Sequence, residues 1–143
     1  MEVRNGKSVE RLFKDAHFMQ TVGIEMIGFG PGWCETQLKV SPALYQQRGF
    51  VHAGALMTLA DHTCGGAAAT TVAEDKDVIT VENKVSFLRP GAGKLLKCRA
   101  EVLKSGKNLI FVEATITTER DNGAVMLVKA SSTLAIIAAK EQE

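Results

Sequence analysis

The chain has 143 residues, with 17 basic and 16 acidic side chains. This length suits one domain with one core, so residues 1–143 are expected to form a single unit. The balanced charge argues against a bulk attraction to nucleic acid or to an acidic membrane surface. No apolar run approaches the roughly 20 residues that span a bilayer. The first stretch, "MEVRNGKSVERLF", lacks the apolar segment of a signal peptide, so we expect a cytoplasmic location.

The first third of the chain predicts one short helix followed by two strands. Residues 8–16 suit a helix that Ser8 caps, and their apolar side chains fall on one stripe. Residues 23–40 read as two strands that are joined by a turn at Gly30-Pro31-Gly32. The next residues, "SPALYQQRG", are expected to form a loop.

Residues 53–72 form the only long helix that the sequence predicts. Their apolar side chains recur at the i, i+3, i+4, i+7 spacing of a core-facing stripe. This stripe consists of Leu56, Leu59, Ala60, Thr63, Cys64 and Ala67. Gly65 and Gly66 lower the helix propensity by roughly 1 kcal/mol each relative to alanine, which indicates close packing or the approach of a ligand.

The remainder of the chain reads as strands. Alternation predicts that four side chains of the first of these strands face the core: Ile79, Val81, Val85 and Phe87. Three long strands with tight turns follow, as in an antiparallel meander. The order of elements predicts an α+β fold, in which one antiparallel sheet curls around the long helix. The uncovered sheet face and the edge strands favour a homo-oligomer.

The three cysteines are far apart in the sequence, and none belongs to a Cys-x-x-Cys pair. Neither they nor the three histidines show the spacing of a zinc site. We therefore predict no metal site, and buried, reduced thiols at Cys34, Cys64 and Cys98.

Asp61 lies on the long helix, away from the centre of the apolar stripe. Three of its four same-face neighbours are glycine or alanine, and no basic residue occurs between Arg48 and Lys76. One hypothesis is a general base or nucleophile in a cleft lined by small residues, since a partly desolvated carboxylate suits water activation. The alternative is a polar residue at a subunit interface or on a partly solvated face.

His52 immediately precedes the same helix. The amides of Ala53 and Gly54 fall in the first turn, where N–H groups lack helical partners and face the positive end of the helix dipole. They could hold a carbonyl oxygen that gains negative charge. The alternative for His52 itself is a capping role.

These segments together resemble the hotdog-fold acyl-CoA thioesterases, in particular the PaaI-like (phenylacetate-degradation) branch. The family pattern runs asparagine, a glycine three residues on, His-Gly-Gly, and an aspartate nine residues after the histidine. In "QQRGFVHAGALMTLAD", four positions match: Gly49, His52, Gly54 and Asp61. The later segment "NKVSFLRPGAGKLLKCRAEVLKSGKNL" is similar to the family's Arg-Pro strand end, and the resemblance covers roughly residues 15–137.

The resemblance implies a catalytic site shared between the subunits of a dimer, or of a dimer of dimers. Asp61 of one subunit would activate water or attack the thioester. The amide at Ala53 and the helix end of the other subunit, which includes Gly54, would polarise the carbonyl, and His52 would help to fix that end. Gln46 replaces the family asparagine, and Ala53 replaces the first glycine.

The resemblance also implies that Thr80 holds the attacking water. Thr80 alternates out of phase with Ile79 and Val81, so its side chain is expected to face away from the helix unless the strand carries a bulge.

The expected substrate is an acyl-CoA, and neither an organic cofactor nor a metal is expected. Three basic residues at strand ends or in turns are candidates for contacts with the CoA phosphates: Arg89, Lys104 and Lys107. Two alternatives stay open on this scaffold, namely a hydratase or dehydratase of acyl thioesters and a non-catalytic acyl-CoA-binding protein.

Overall fold

The computed structural model describes residues 2–140, so both ends of the predicted domain lie outside the described residues. Three α-helices, six β-strands and one short 3-10 turn at Pro42–Leu44 make up this part of the chain. The helices are α1 (Gly6–Lys14), α2 (His17–Val22) and α3 (Ala53–Ala69). The strands are β1 (Ile24–Gly30), β2 (Trp33–Lys39), β3 (Lys76–Phe87), β4 (Leu95–Ser105), β5 (Leu109–Arg120) and β6 (Gly123–Ala138).

The six strands form one antiparallel sheet in the order β1-β2-β4-β5-β6-β3. The long helix α3 packs against every one of these strands, so the sheet curls around it. The predicted α+β arrangement of a curled antiparallel sheet around one long helix is confirmed. Among the described residues, no helix has both the length and the apolar character needed to cross a bilayer.

The apolar stripe of α3 is buried as predicted, from Leu56 to Ala67. Gly66 explains how the helix comes so close to β2. A Cβ at this position would lie 2.7 Å from Sγ of Cys34, which is far inside van der Waals contact. The helix ends at Ala69, earlier than predicted, and the Thr70 and Thr71 hydroxyls donate to the carbonyls of Ala67 and Ala68 at 2.7 and 2.8 Å.

The N-terminal prediction needs two corrections. The helix cap is Asn5 rather than Ser8, because the Asn5 side chain accepts from the Ser8 amide at 3.2 Å. Ser8 is buried, and its hydroxyl instead donates to Oδ1 of Asp77 at 2.8 Å. The helix α2 was not predicted; it ends at Val22, and the residue that caps it is Gly23, whose φ of 92° suits glycine.

The strand β3 contradicts the predicted alternation. Ile79 and Val81 are 54% and 62% exposed, and Phe87 is also exposed. The pairing of β3 with β6 shifts between Thr80 and Glu82, which marks a β-bulge. The bulge inserts one extra residue into β3, so Ile79 and Val81 point away from the core, whereas Val85 beyond the bulge packs against the core as predicted.

The three cysteines are free and buried, as predicted. Burial raises the pKa of the Cys34 and Cys64 thiols to about 12. Burial also raises the pKa of Cys98. All three are therefore uncharged thiols at neutral pH and are poor nucleophiles.

Candidate active site

Asp61 lies in the middle of α3 and faces β3. Thr80 Oγ1 and Asn83 Nδ2 both donate hydrogen bonds of 2.8 Å to its Oδ1. Within residues 2–140, no side chain donates to Oδ2 and no cation lies within 4.0 Å of the carboxylate. Asp61 is half-buried, so its second oxygen is held in place but left available to a ligand or water.

The bulge in β3 is what brings both donors to Asp61. Thr80 and Asn83 are three positions apart and would point to opposite faces of a regular strand. The extra residue between Thr80 and Glu82 restores them to one face. The bulge that a role for Thr80 requires is therefore present.

Asn83 and its partner Ser132 were missed from the sequence. The Ser132 hydroxyl on β6 donates to Oδ1 of Asn83, and Ser132 is buried. The signal for Asn83 in the sequence was weak. Asparagine is depleted in strand interiors, so its position within β3 was the one hint of a specific role.

At the start of α3, His52 is the N-cap residue. Its Nδ1 accepts from the Gly54 amide at 2.8 Å, so the capping alternative describes what this side chain does. The prediction of two available amides is wrong for Gly54, because His52 occupies its N–H group. Among the described residues, none accepts a hydrogen bond from the Ala53 N–H group.

Gln46 holds its own loop in shape. Its Oε1 accepts from the amides of Arg48 and Phe50, the latter at 3.4 Å. Its side chain makes no hydrogen bond to His52 or Asp61. Gln46 nevertheless lines the same cavity of about 390 Å³ as His52 and Ala53.

The structure separates the three candidate phosphate ligands. Arg89 lines the cavity at the start of α3, where its Nη1 donates to the Met126 carbonyl at 2.7 Å. Arg48 also lines this cavity and was not predicted. Lys104 lines another cavity, of about 600 Å³, beyond the opposite end of α3. Lys107 follows in the β4–β5 turn, at that same end.

His62 is next to Asp61 in the sequence but belongs to the core packing. Its Nε2 lies 2.5 Å from the Leu12 carbonyl, and its ring meets the ring of Phe13 edge-on at 4.8 Å. Burial lowers the pKa of His62, so it is neutral at physiological pH. A neutral imidazole has no charge with which to pair Asp61.

One copy of the chain does not bring Asp61 to the helix start. Asp61 lies eight positions after Ala53 along α3, which corresponds to about 12 Å. Reacting atoms must lie about 3–3.5 Å apart. The two halves of the candidate site therefore lie too far apart to serve one carbonyl within a single copy.

Comparison with known proteins gives the family. Residues 48–125 match the Thioesterase superfamily. The chain is 29% identical over 102 residues to the 1,4-dihydroxy-2-naphthoyl-CoA hydrolase of Listeria monocytogenes, covering 71% of this chain and 83% of that protein.

Solved structures agree with this match. The crystal structure of a thioesterase family protein from Silicibacter pomeroyi superposes with a TM-score of 0.89 at 35% identity, covering 93% of this chain and 98% of that one. The fold is also that of the PaaI protein from the phenylacetic acid degradation operon of E. coli, with a TM-score of 0.81, 19% identity and 93% coverage of both chains.

The curled sheet and its central helix thus define a hotdog fold. The chain belongs to the Thioesterase superfamily, and its class of activity is thioester hydrolysis.

Proposed function

We propose that this protein is an acyl-CoA thioesterase in which Asp61 activates the attacking water. The observation that carries the proposal is the Asp61 carboxylate, whose Oδ1 takes both hydrogen bonds while Oδ2 stays available. Three further points support it: the family match, the CoA-thioester hydrolase name of the Listeria relative, and the resemblance of the helix motif to PaaI-like enzymes.

The chemistry follows from the donors around Asp61. Oδ2 takes a proton from water as the water oxygen attacks the thioester carbon. The hydroxyl hydrogen of Thr80 is already donated to Asp61. The lone pairs of Thr80 Oγ1 are therefore free to accept a hydrogen bond from that same water. This attack gives a tetrahedral intermediate. The intermediate then expels the CoA thiolate, which takes the proton back from Asp61. In the other route Asp61 attacks the thioester carbon directly, the C–S bond breaks with loss of the CoA thiolate, and water then cleaves the resulting acyl-enzyme anhydride.

The carbonyl oxygen would be held by the Ala53 amide of a second copy. Because the Gly54 amide donates to His52, the Ala53 N–H group is the donor that stays available at the positive end of the α3 dipole. This proposal makes the active unit a homodimer, or a dimer of dimers, with two equivalent sites.

The edge of the sheet supports a dimer along β3. This edge strand carries the exposed side chains of Ile79 and Val81. Met57, one helical turn before Asp61, is 40% exposed. An exposed apolar edge strand is an aggregation hazard unless another chain covers it. A partner along β3 would also approach the face of α3 that holds Asp61.

Phosphate binding is proposed for Arg89, with Arg48 beside it in the same cavity. Both lie near the helix start that would receive the thioester. Lys104 and Lys107, at the far end of α3, would contact CoA only if a neighbouring copy placed it there. A cytoplasmic location belongs to this proposal as well, because free buried thiols are typical of a reducing compartment.

A thiol-release screen over acyl-CoAs of differing length and aromaticity tests the function. Release of CoA supports the thioesterase. Hydration of an enoyl-CoA without thiol release would instead identify a hydratase, and binding without turnover would identify a carrier.

Mixing two inactive variants tests the shared site. Ala53→Pro removes the N–H group at the first helical position, where proline is well tolerated. Asp61→Asn removes the base. A random mixture of the two should regain about a quarter of the parent activity, because half the dimers are mixed and each has one intact site. No recovery after confirmed subunit exchange would show that the site does not combine Asp61 and Ala53 from different copies.

A further inference from the structure

Three side chains form a hydrogen-bonded line from the sheet to the candidate base. Ser132 Oγ donates to Oδ1 of Asn83, and Nδ2 of Asn83 donates to Oδ1 of Asp61. We propose that Asn83, oriented by Ser132, is a positioning residue that sets the direction of the Asp61 carboxylate. This inference rests on the proposed role of Asp61 as the base.

The chemistry of the two partners fixes which way the Asn83 amide points. An ionised carboxylate only accepts hydrogen bonds, so the NH₂ end of Asn83 must face Asp61. The carbonyl end then needs a donor, and the Ser132 hydroxyl supplies it. A flipped amide would set its oxygen against a carboxylate oxygen. Ser132 is 4% exposed, so water competes little for this hydroxyl.

Two donors orient a carboxylate in a way that one does not. Rotation of an aspartate carboxylate about its last torsion is soft and roughly two-fold. With Thr80 as its only partner, the group could turn about a single hydrogen bond. The second bond comes from the other side of the β3 bulge, so the two donors define the plane of the carboxylate and the direction of Oδ2.

Asn83 acts through Asp61, which predicts a specific kinetic pattern. The substrate is bound by other groups, so Asn83→Ala should lower kcat about 10- to 100-fold with little change in KM. Ser132→Ala should lower kcat less, because the amide then keeps its donor but loses its fixed orientation. Ser132→Thr retains the hydroxyl and should restore turnover toward the parent value.

The double variant Asn83→Ala/Ser132→Ala separates positioning from stability. Asn83→Ala alone removes the amide oxygen that accepts from the buried Ser132 hydroxyl, whereas removing both polar partners is close to neutral for stability. Thermal unfolding should therefore show partial recovery of Tm in the double variant relative to Asn83→Ala. The kcat should stay at the Asn83→Ala value, since Ser132 acts only through Asn83.

A matched control lies on the opposite face of β6. Ser131→Ala changes an exposed neighbour of Ser132 and should leave kcat unchanged. Recovery of both Tm and kcat in the double variant would overturn the inference in favour of a purely structural role. Parent turnover in Asn83→Ala, with Asp61→Asn inactive, would overturn the inference and leave the proposed function intact. Parent turnover in Asp61→Asn would overturn the proposed function itself.

Discussion

Thr80 donates its hydroxyl hydrogen to Oδ1 of Asp61 across 2.8 Å, although the two residues are 19 positions apart and lie on different elements. This contact ties the centre of α3 to the edge strand β3. It also directs one carboxylate oxygen into the protein while the other stays available.

Asp61→Asn preserves the size of the side chain but removes its basicity. We expect kcat for acyl-CoA hydrolysis to fall about 10²–10⁴-fold, the usual contribution of a positioned general base. Thiol release measures turnover, while circular dichroism and size-exclusion chromatography check the fold and the oligomer. Asp75→Asn, on the exposed α3–β3 connection, is the matched control. Hydrolysis at the parent rate by Asp61→Asn would exclude the proposed mechanism.

Thr80→Val removes the hydroxyl while keeping the branched shape. The loss of one hydrogen bond to a charged group, worth about 1.5–3 kcal/mol, should lower kcat roughly 10- to 100-fold. Thr80→Ser keeps the hydroxyl and should retain most of the turnover. As controls, Thr117→Val and Thr117→Ser on β5 should leave kcat unchanged. Equal turnover of the Val and Ser variants at position 80 would argue against a role for the hydroxyl.

The adjacent glycines Gly65 and Gly66 should respond in opposite directions to alanine. At Gly66 the new methyl group would meet Cys34 Sγ at 2.7 Å and the Phe13 ring at 3.1 Å, so we expect a destabilisation of about 1–3 kcal/mol. At Gly65, within residues 2–140, such a methyl group would have no atom within 4 Å apart from its chain neighbours and the backbone of α3 itself. Gly65→Ala should therefore stabilise the protein by up to about 1 kcal/mol through helix propensity.

Chemical denaturation of the two glycine variants provides the measurement. A loss of stability in Gly65→Ala, or none in Gly66→Ala, would contradict this account of how α3 packs on β2.

The buried thiols predict a loss of stability at high pH. Folding raises the pKa of Cys34 and Cys64 from 9.0 to about 12, so the folded state keeps protons that the unfolded state releases above pH 9. The free energy of unfolding should therefore be unaffected by these groups below pH 9. It should fall between pH 9 and 12 by about 1.4 kcal/mol per pH unit for each thiol.

Denaturant titrations of the parent and of Cys34→Ala measure this slope. The variant starts from a lower stability because of the cavity, but its slope between pH 9 and 11 should be shallower by about one proton. An unchanged slope would show that Cys34 does not contribute to the pH dependence.

Much of the fold was predictable because its signals are local. The stripe from Leu56 to Ala67 repeats with the helical period, so it identified both α3 and the face that the sheet covers. The turn at Gly30-Pro31-Gly32 marked the hairpin β1–β2. Asp61 stood out because no basic residue is near it in the sequence, and the structure likewise shows no ion pair at Asp61 among residues 2–140.

The role of His52 needed the structure. The sequence placed it at the helix start but left open whether its ring or the neighbouring amides face a ligand. The ring turned out to occupy the Gly54 amide, which only the backbone geometry at the cap decides.

By itself, the sequence determined the helix, its buried face and the carboxylate on it, because helical periodicity depends only on neighbours within a few turns. The tertiary structure alone decided which groups meet that carboxylate. Asn83 and Ser132 are 49 positions apart, and the register of β3 against β6 brings them together. That register shifts at one bulge. Because side chains alternate along a strand, the single inserted residue changes which side chains of β3 point toward Asp61.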